Sequence, residues 1–583
     1  MITKQDISKF IDEEAEAGKA HWEATMSLPI KDRIRKRRAI KSVFLDKDYR
    51  ETSSENHVLL KLKMSVNLSD FKEGDSLLLH KEESPVGIIC TLDSFVGDEE
   101  IIVDIFPPDL PSNIEPYYDL PLVLDKNLVD LRQYVYYPFL SELPNNISFW
   151  RKHIINNRPK PTFRNQEKCK EDLNNSLAEV NVTLLPSQYT AVLNSISAKD
   201  YYLIQGPPGT GKSYVLGWII LEELSLFNHK VIVIGPNHMA INNTLAQVLK
   251  IFPESAMLSY KVGQSYNAPD FEIEHKEKIY TIRNLLRING YELSALDEMW
   301  LIGITPHALH SSRGVGLECD TLVIDEAGQM TMPLALMGII RAKKVILAGD
   351  HKQLPPIIAS SEINDKMKQS IFQVLMTDEN CTMLDVSFRM CDSICRFVSE
   401  LFYDGKLKSY KPSCGNRIIC NDPLYSYCTP IVIHHIDDNG EQTSDKEADF
   451  IASVINNYIK LGLPAEEIAA LSPFRAQAAT IRRNIRRQKD IDEEARKLIV
   501  SDTIDKMQGQ EREVIIYSMV SGDYEYMTDM AEFLFNPNKM NVAFSRAKYK
   551  LIVVGNLNQL KRLPSIEYEH IHKMLQSDLA TFI

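Results

Sequence analysis

The chain has 583 residues, 44% hydrophobic and 25% charged, with a formal net charge of −13. That length exceeds one core, and the composition is that of a soluble globular protein of about three to four domains. The longest apolar runs are strand-sized, which excludes a helical membrane span, and the acidic balance argues against a large nonspecific nucleic-acid surface while leaving room for a local basic channel.

The N-terminal stretch MITKQDISKFIDEEAEAG is acidic and amphipathic, unlike a signal peptide. Without an export signal, the nine cysteines read as free thiols. The default location is the cytoplasm, or the nucleus if the chain is eukaryotic. Residues 1–55 are read as a helical stalk, with the basic cluster IKDRIRKRRAIK (30–41) on a solvated helix face. Residues 56–125 alternate and are β-rich, with turn signals at EGD (73–75), SPVG (84–87) and VGDEE (96–100), which suits a small antiparallel barrel. FPPDLPSNIEP (106–116) breaks regular structure. Helical patterns return over 126–178 and include the polar linker RPKPTFRNQEK.

From about 179 onward the pattern becomes strand, loop, helix. YYLIQG (201–206), VIVIGP (231–236), TLVIDE (321–326) and KVILAGD (344–350) are short apolar runs, each ending in Gly, Pro or an acid. Continuous apolar strands with helical crossovers mean an α/β parallel sheet covered on both faces. IVIHHID (431–437), IAALSP (468–473), EVIIYSMV (513–520) and KLIVVGN (550–556) form a second set. Two such domains are expected, at 179–378 and 379–583, the last 27 or so residues forming one helix. Six cysteines between 381 and 428 lack the paired C-x2-C spacing of a metal site and read as buried thiols.

Three motifs carry chemistry. GPPGTGKS (206–213) fits G-x-x-x-x-G-K-[ST] between a strand and a helix. The glycines let backbone N–H groups wrap a phosphate at a helix N-terminus, Lys212 reaches the β- and γ-phosphates, and Ser213 suits Mg²⁺. VIDEAGQ (323–329) ends a strand in two carboxylates: Asp325 to hold the metal through water, Glu326 to orient and deprotonate the attacking water. GDHKQLPP (349–356) follows another strand and offers Gln353 as a γ-phosphate sensor. Far downstream, Arg546 precedes a core strand in NVAFSRAKYKLIVVGN (541–556). A second domain presenting it across a cleft would make it an arginine finger, whereas the pattern alone favours a surface arginine capping a strand.

Together these stretches resemble superfamily 1 helicases of the branch that includes senataxin, the immunoglobulin-mu-binding helicase and the nonsense-mediated-decay helicase. In family order they are LPSQYTAV (185–192), LIQGPPGTGKS (203–213), VIDEAGQ, LAGDHKQLPP (347–356), LDVSFRM (384–390), LSPFRAQ (471–477), DTIDKMQGQEREVIIYS (502–518) and NVAFSRAKYKLIVVGN. The resemblance covers nearly two thirds of the chain, residues 185–556.

It implies two RecA-like domains with a helical stalk and barrel insertion, and an ATP- and Mg²⁺-dependent monomeric motor moving 5′→3′ on single-stranded DNA or RNA. Gln188 should read the adenine edge, and Gly206, Gly209, Thr210, Gly211, Lys212 and Ser213 should hold the triphosphate and metal. Phe388 stands where the branch usually has a tyrosine that stacks on the base, so it keeps the ring and loses the hydroxyl. Arg389 and Arg546 should be fingers and Glu511 a nucleotide contact. Strand contacts should come from Pro236, Asn237, Thr305, Ser472, Pro473 and Thr503, although GPNHMA departs from the family's usual Pro-Ser/Thr-Asn order. The stretch 255–300, where relatives carry a helical insertion near the strand path, is short. The rival readings are a translocase subunit that strips nucleoprotein complexes with protein partners, and a nucleotide-gated binding switch.

Overall fold

The computed structural model describes residues 2–143, 158–253, 259–262, 280–282 and 299–583, apart from 53–56, 66–68, 70, 72–74, 83–85, 97–98, 113, 312–313, 315, 362, 412–417 and 508. Most of the short 255–300 stretch therefore lies outside the described residues.

Six antiparallel strands close a barrel: β1 (Ala39–Thr52), β2 (Val58–Lys63), β3 (Ser76–Lys81), β4 (Gly87–Val96), β5 (Glu100–Ile105) and β6 (Leu122–Lys126), in the order β1-β2-β5-β4-β3-β6. The barrel thus starts at Ala39 rather than 56, and the expected stalk of 1–55 is helical only over Lys4–Met26 and Ile30–Arg35. The basic run hid the strand, because it extends into β1 through exposed Lys41 while Ile40, Val43 and Leu45 fill the barrel core. Buried Arg33 ties the short helix to the barrel through Asp125, donating from Nε at 3.0 Å and Nη2 at 2.9 Å. Such a forked pair satisfies both carboxylate oxygens where water is excluded.

The first parallel sheet contains β7 (Tyr201–Gln205), β8 (Val231–Ile234), β9 (Ser259–Val262), β10 (Tyr280–Ile282), β11 (Leu301–Gly303), β12 (Cys319–Ile324), β13 (Ala342–Gly349) and β14 (Cys381–Met383), in the order β10-β9-β11-β8-β12-β13-β7-β14. Successive residues alternate between its two cores. Tyr201 and Leu203 enter one with Ile232 and Ile234, while Tyr202 and Ile204 enter the other with Val231 and Val233. The N-terminal helix adds Ile7, Phe10 and Ile11 to the first core. Helix Gln166–Glu179, expected to lie in the returning stalk, buries Cys169, Leu173 and Leu177 in the second. Its polar surface concealed this three-residue apolar stripe.

A two-stranded sheet, β15 (Val386–Cys391) with β16 (Lys408–Lys411), connects to the second parallel sheet. That sheet comprises β17 (Ile431–His435), β18 (Ile468–Ser472), β19 (Val500–Thr503), β20 (Arg512–Ser518), β21 (Ala547–Gly555) and β22 (Thr581–Phe582), in the order β19-β18-β20-β21-β17-β22. Strand β14 pairs with β7, so the first sheet takes in residues beyond the expected limit of 378. The C-terminal residues form two short helices, Leu557–Leu560 and Glu569–Leu575, and then β22, not one helix, because Pro564 and the SDLA turn interrupt the pattern. Cys391 is disulfide-bonded, which corrects the reading of all nine cysteines as free. Among the described residues, no cluster of His, Cys, Asp and Glu could hold a metal ion, and no helix is long and apolar enough to cross a membrane.

Candidate nucleotide site between the two parallel sheets

Strand β7 runs into the loop Gly206–Gly211 and then helix Lys212–Ser225. Gly209 and Gly211 have φ of +73° and +79°, a region cheap only for glycine. A Cβ on Gly209 would meet Arg389 Cβ at 2.5 Å, so no side chain fits between the loop and β15. The contact is hydrogen-bonded as well: Ser387 Oγ donates to the Pro208 carbonyl at 2.8 Å, and the Phe388 amide to the Gly209 carbonyl at 2.8 Å. Thr210 is buried, its hydroxyl donating to the Pro207 carbonyl at 2.8 Å. Gln188, on helix Pro186–Ser197, accepts from the Leu185 amide at 3.2 Å and donates to the Thr210 carbonyl at 3.1 Å. One donor hydrogen and one acceptor lone pair of its amide remain, the pair an adenine edge requires.

Strand β12 delivers Asp325 and Glu326 opposite Lys212. The ammonium lies 3.2 Å from Asp325 Oδ1 and 2.5 Å from Glu326 Oε1. Burial opposes charge on Lys212, but the two carboxylates outweigh it and hold its pKa above the ordinary lysine value. Asp325 is buried and its pKa is pushed up by that burial, although Lys212 and the Thr244 hydroxyl, 2.8 Å away, oppose the shift. Glu326 moves the other way: burial would raise it, and Lys212 with Arg546 holds it below the usual carboxylate value. Glu326 has φ of +53°, uncommon for a residue with a Cβ. Its carboxylate accepts from Gln329 Nε2 at 3.2 Å.

The second sheet supplies the opposite wall. Arg546, immediately before β21, is buried, its Nη2 donating to Gln353 Oε1 at 3.3 Å and its Nε to the Val542 carbonyl at 3.0 Å. Burial, with Arg389 repelling it, pushes its pKa down to about 9, which leaves the guanidinium charged at neutral pH. Arg389 Nε donates to Glu511 Oε2 at 2.7 Å and its Nη1 to the Ser545 carbonyl at 3.3 Å. Burial works against the Glu511 carboxylate, but Arg389 keeps its pKa below the usual value. Phe388 is half-exposed beside the loop, with the Tyr410 ring centroid 4.8 Å away.

The structure therefore brings Gln188, Gly206–Ser213, Asp325, Glu326, Gln353, Phe388, Arg389, Glu511 and Arg546 to one cleft. The expected strand contacts lie apart from it. Pro236 and Asn237 follow β8, and Thr305 follows the adjacent β11; Ser472 with Pro473 and Thr503 end or follow the neighbouring β18 and β19. Asn237 is exposed and caps helix His238–Ile251 by accepting from the Ala240 amide at 3.0 Å. Ser472, Pro473 and Thr503 are buried, so accessible side chains at these three positions are not what the structure gives. Small polar residues at strand ends were read as exposed, and the following helices cover them.

Sequence reasoning missed Asp350, Tyr403, Asn538 and Asn541, which surround Gln353. Asp350 and the two asparagines sit inside or beside quoted motifs, but Tyr403 in LFYDGK carries no local signal. The donors present fit a magnesium triphosphate. A glycine loop with two left-handed positions, an ammonium, the Ser213 hydroxyl on the first helical turn and the Asp325 carboxylate converge there.

A phosphate loop and acid pair on one parallel sheet, closed by arginines from a second, define a P-loop ATPase of the two-domain motor class. Two family models, each described as an AAA domain, match residues 274–361 and 367–558. The chain is 26% identical over 516 residues to an uncharacterized ATP-dependent helicase of Methanocaldococcus jannaschii, covering 70% of this chain and 74% of that one. It is 28% identical over 441 residues to the DNA polymerase alpha-associated DNA helicase A of Schizosaccharomyces pombe, covering 65% and 64%. To the ATP-dependent helicase NAM7 of Saccharomyces cerevisiae it is 27% identical over 417 residues, covering 66% and 42%. These matches indicate a superfamily 1 helicase of the Upf1-like branch, a class of nucleic-acid-dependent ATPases.

Proposed function

We propose that the chain hydrolyses ATP between its two parallel sheets and, as a single-chain motor, uses the opening and closing of that cleft to move 5′→3′ along single-stranded DNA or RNA and to separate duplexes. The observation that carries this reading is the meeting of Lys212, Asp325 and Glu326 from one sheet with Arg546 from the other, whose charge acts on Glu326 and whose guanidinium donates to Gln353 beside the first sheet.

In this reading Gln188 and Phe388 take the base, and the loop amides with Lys212 take the phosphates. Glu326 accepts the proton of the water attacking the γ-phosphorus, the bond to the β-phosphate oxygen breaks, and ADP carries away the electron pair. Arg389 and Arg546 meet the charge that develops on the transferred group. Ser213 directly and Asp325 through water would hold Mg²⁺, which neutralises β- and γ-phosphate oxygens when bound. Pro236, Asn237 and Thr305 on one sheet, and Ser472, Pro473 and Thr503 on the other, would follow the strand, the last three through backbone groups.

ATPase rates with added single-stranded DNA or RNA, alongside unwinding of 5′-tailed and 3′-tailed duplexes, test the reading. Stimulation by one polymer, lost in Arg546→Ala, with unwinding of the 5′-tailed duplex alone, is expected. Hydrolysis with protein displacement but no unwinding would favour a translocase that remodels nucleoprotein complexes. Hydrolysis that neither polymer stimulates would overturn the motor.

A further inference from the structure

The loop that carries Gln353 belongs to the first sheet by sequence and to the second domain by contact. It follows β13, and Asp350 at its start uses both carboxylate oxygens. Oδ1 accepts from Gln205 Nε2 at 3.2 Å and the Lys352 amide at 3.1 Å. Oδ2 accepts from Gln353 Nε2 at 2.9 Å and the Tyr403 hydroxyl at 2.6 Å. Four donors fill the roughly four lone-pair positions of a carboxylate.

Tyr403 comes from the end of helix Asp392–Phe402, beyond β15. Its hydroxyl also accepts from Asn541 Nδ2 at 2.8 Å. That same amide nitrogen donates to the Lys352 carbonyl at 2.7 Å. One turn earlier, Asn538 Nδ2 donates to the carbonyls of His351 at 3.0 Å and Gln353 at 2.6 Å. Three successive carbonyls of the loop are thus held by two asparagines of helix Pro537–Phe544. This helix ends two residues before Arg546, which itself touches the Gln353 side chain.

We infer that Tyr403, Asn538 and Asn541 are positioning residues that place Gln353, together with Arg546, only when the second domain is seated, making hydrolysis conditional on closure. The inference rests on the ATPase reading above. Lys212, Asp325 and Glu326 are placed by the first sheet alone, so phosphate binding does not need the second domain's grip. Gln353 is different, because its amide is aimed by Asp350 on one side and by the Asn538-held backbone on the other. Tyr403 is buried, and burial with the adjacent Asp350 raises its pKa, so the hydroxyl remains a donor across the working pH range. Misplacing a group by about an ångström costs up to about a hundredfold in rate without touching ground-state affinity.

The test is a double-mutant cycle on the full chain with Mg²⁺ and ATP, measuring kcat and KM with and without single-stranded nucleic acid, nucleotide affinity and melting temperature. Tyr403→Phe removes one hydroxyl. Asn538→Ala, at a half-buried position, serves if the first variant does not fold. Each should lower kcat about tenfold while leaving KM and nucleotide affinity within about twofold. In a Gln353→Ala background either substitution should add less than about twofold, because each acts through Gln353. Multiplying losses, a raised KM at unchanged kcat, or a kcat loss that tracks a lowered melting temperature would overturn the positioning role alone. Absence of hydrolysis in the unsubstituted chain would overturn the reading of the site and the positioning role with it.

Discussion

Arg546 Nη2 lies 3.3 Å from Gln353 Oε1, although 193 residues of chain separate the two. The contact joins the end of a strand in one sheet to the start of a strand in the other. It gives a buried guanidinium a side-chain acceptor on the far wall of the cleft. Removing that charge is expected to lower kcat roughly a thousandfold with nucleotide affinity little changed. Arg546→Lys should not restore the rate, because a single ammonium cannot keep the fork to Gln353 and the carbonyls of Val542 and Gln510. Steady-state kinetics of Arg546→Ala and Arg546→Lys, beside nucleotide-binding titrations, measure both points.

Glu326 shares Lys212 with Asp325, and Lys212 with Arg546 keeps its pKa below the usual carboxylate value despite burial, so the carboxylate is ionised at neutral pH, as the proposed general base must be. Glu326→Gln keeps the shape and removes the base. Hydrolysis should fall about a hundred- to ten-thousandfold in single-turnover assays. Nucleotide affinity should hold or tighten, since one competitor for the Lys212 ammonium is gone. A variant that hydrolyses at the unsubstituted rate would remove Glu326 from the mechanism.

Tyr410 backs Phe388, on the neighbouring strand of a parallel pair. The two rings meet at a 39° tilt, so Tyr410 supports the phenyl ring from one side and leaves the other to a base in the proposed reading. Aromatic pairs of this kind contribute about 0.5–1.5 kcal/mol beyond area burial. Tyr410→Ala should therefore raise KM for ATP roughly two- to tenfold at unchanged kcat. Tyr410→Phe should behave as the unsubstituted chain. Equal effects of the two substitutions on kcat would point away from base stacking.

Glu447, buried on helix Asp445–Lys460, accepts from Ser518 Oγ at 2.6 Å and the Val520 amide at 3.3 Å. Burial raises its pKa from 4.5 to about 7. The folded chain therefore binds more protons than the unfolded one between these values. The stability this group contributes is complete below about pH 4.5 and is lost as pH rises through about 7. A shift of that size corresponds to at most roughly 3 kcal/mol. Glu447→Gln should melt at a higher temperature than the unsubstituted chain at pH 8, with the gap narrowing toward pH 5. A pH-independent difference in calorimetry would contradict the buried-carboxyl account.

The central strands of the two sheets (β7, β8, β12 and β13, then β17, β18, β20 and β21), the glycine loop, the acid pair and Arg546 were legible in the amino-acid sequence. Buried parallel strands must be continuous apolar runs, and glycines at 209 and 211 are demanded by backbone geometry. Strand β1 was not legible. A barrel strand with charged outward positions looks like a charged helix when its partners are distant. The same holds for the short edge strands β14 and β22, whose two or three residues carry no period of their own.

What the sequence by itself determined is the make-up of each wall: a glycine loop ending in a lysine, an adjacent acid pair, and arginines from the second set of strands. These follow from residue type and local backbone, both properties of short segments. Only the tertiary structure decided how the walls meet. Tyr403 carries no local pattern that marks it, and its bond to Asn541 is invisible in the motif that holds Asn541, because a hydrogen bond across 138 residues depends on where two domains dock. The buried state of Ser472 and Thr503 was likewise settled by the helices packed over them. Local sequence fixes conformation and chemistry over a few residues, whereas proximity between distant residues is a property of the packed whole.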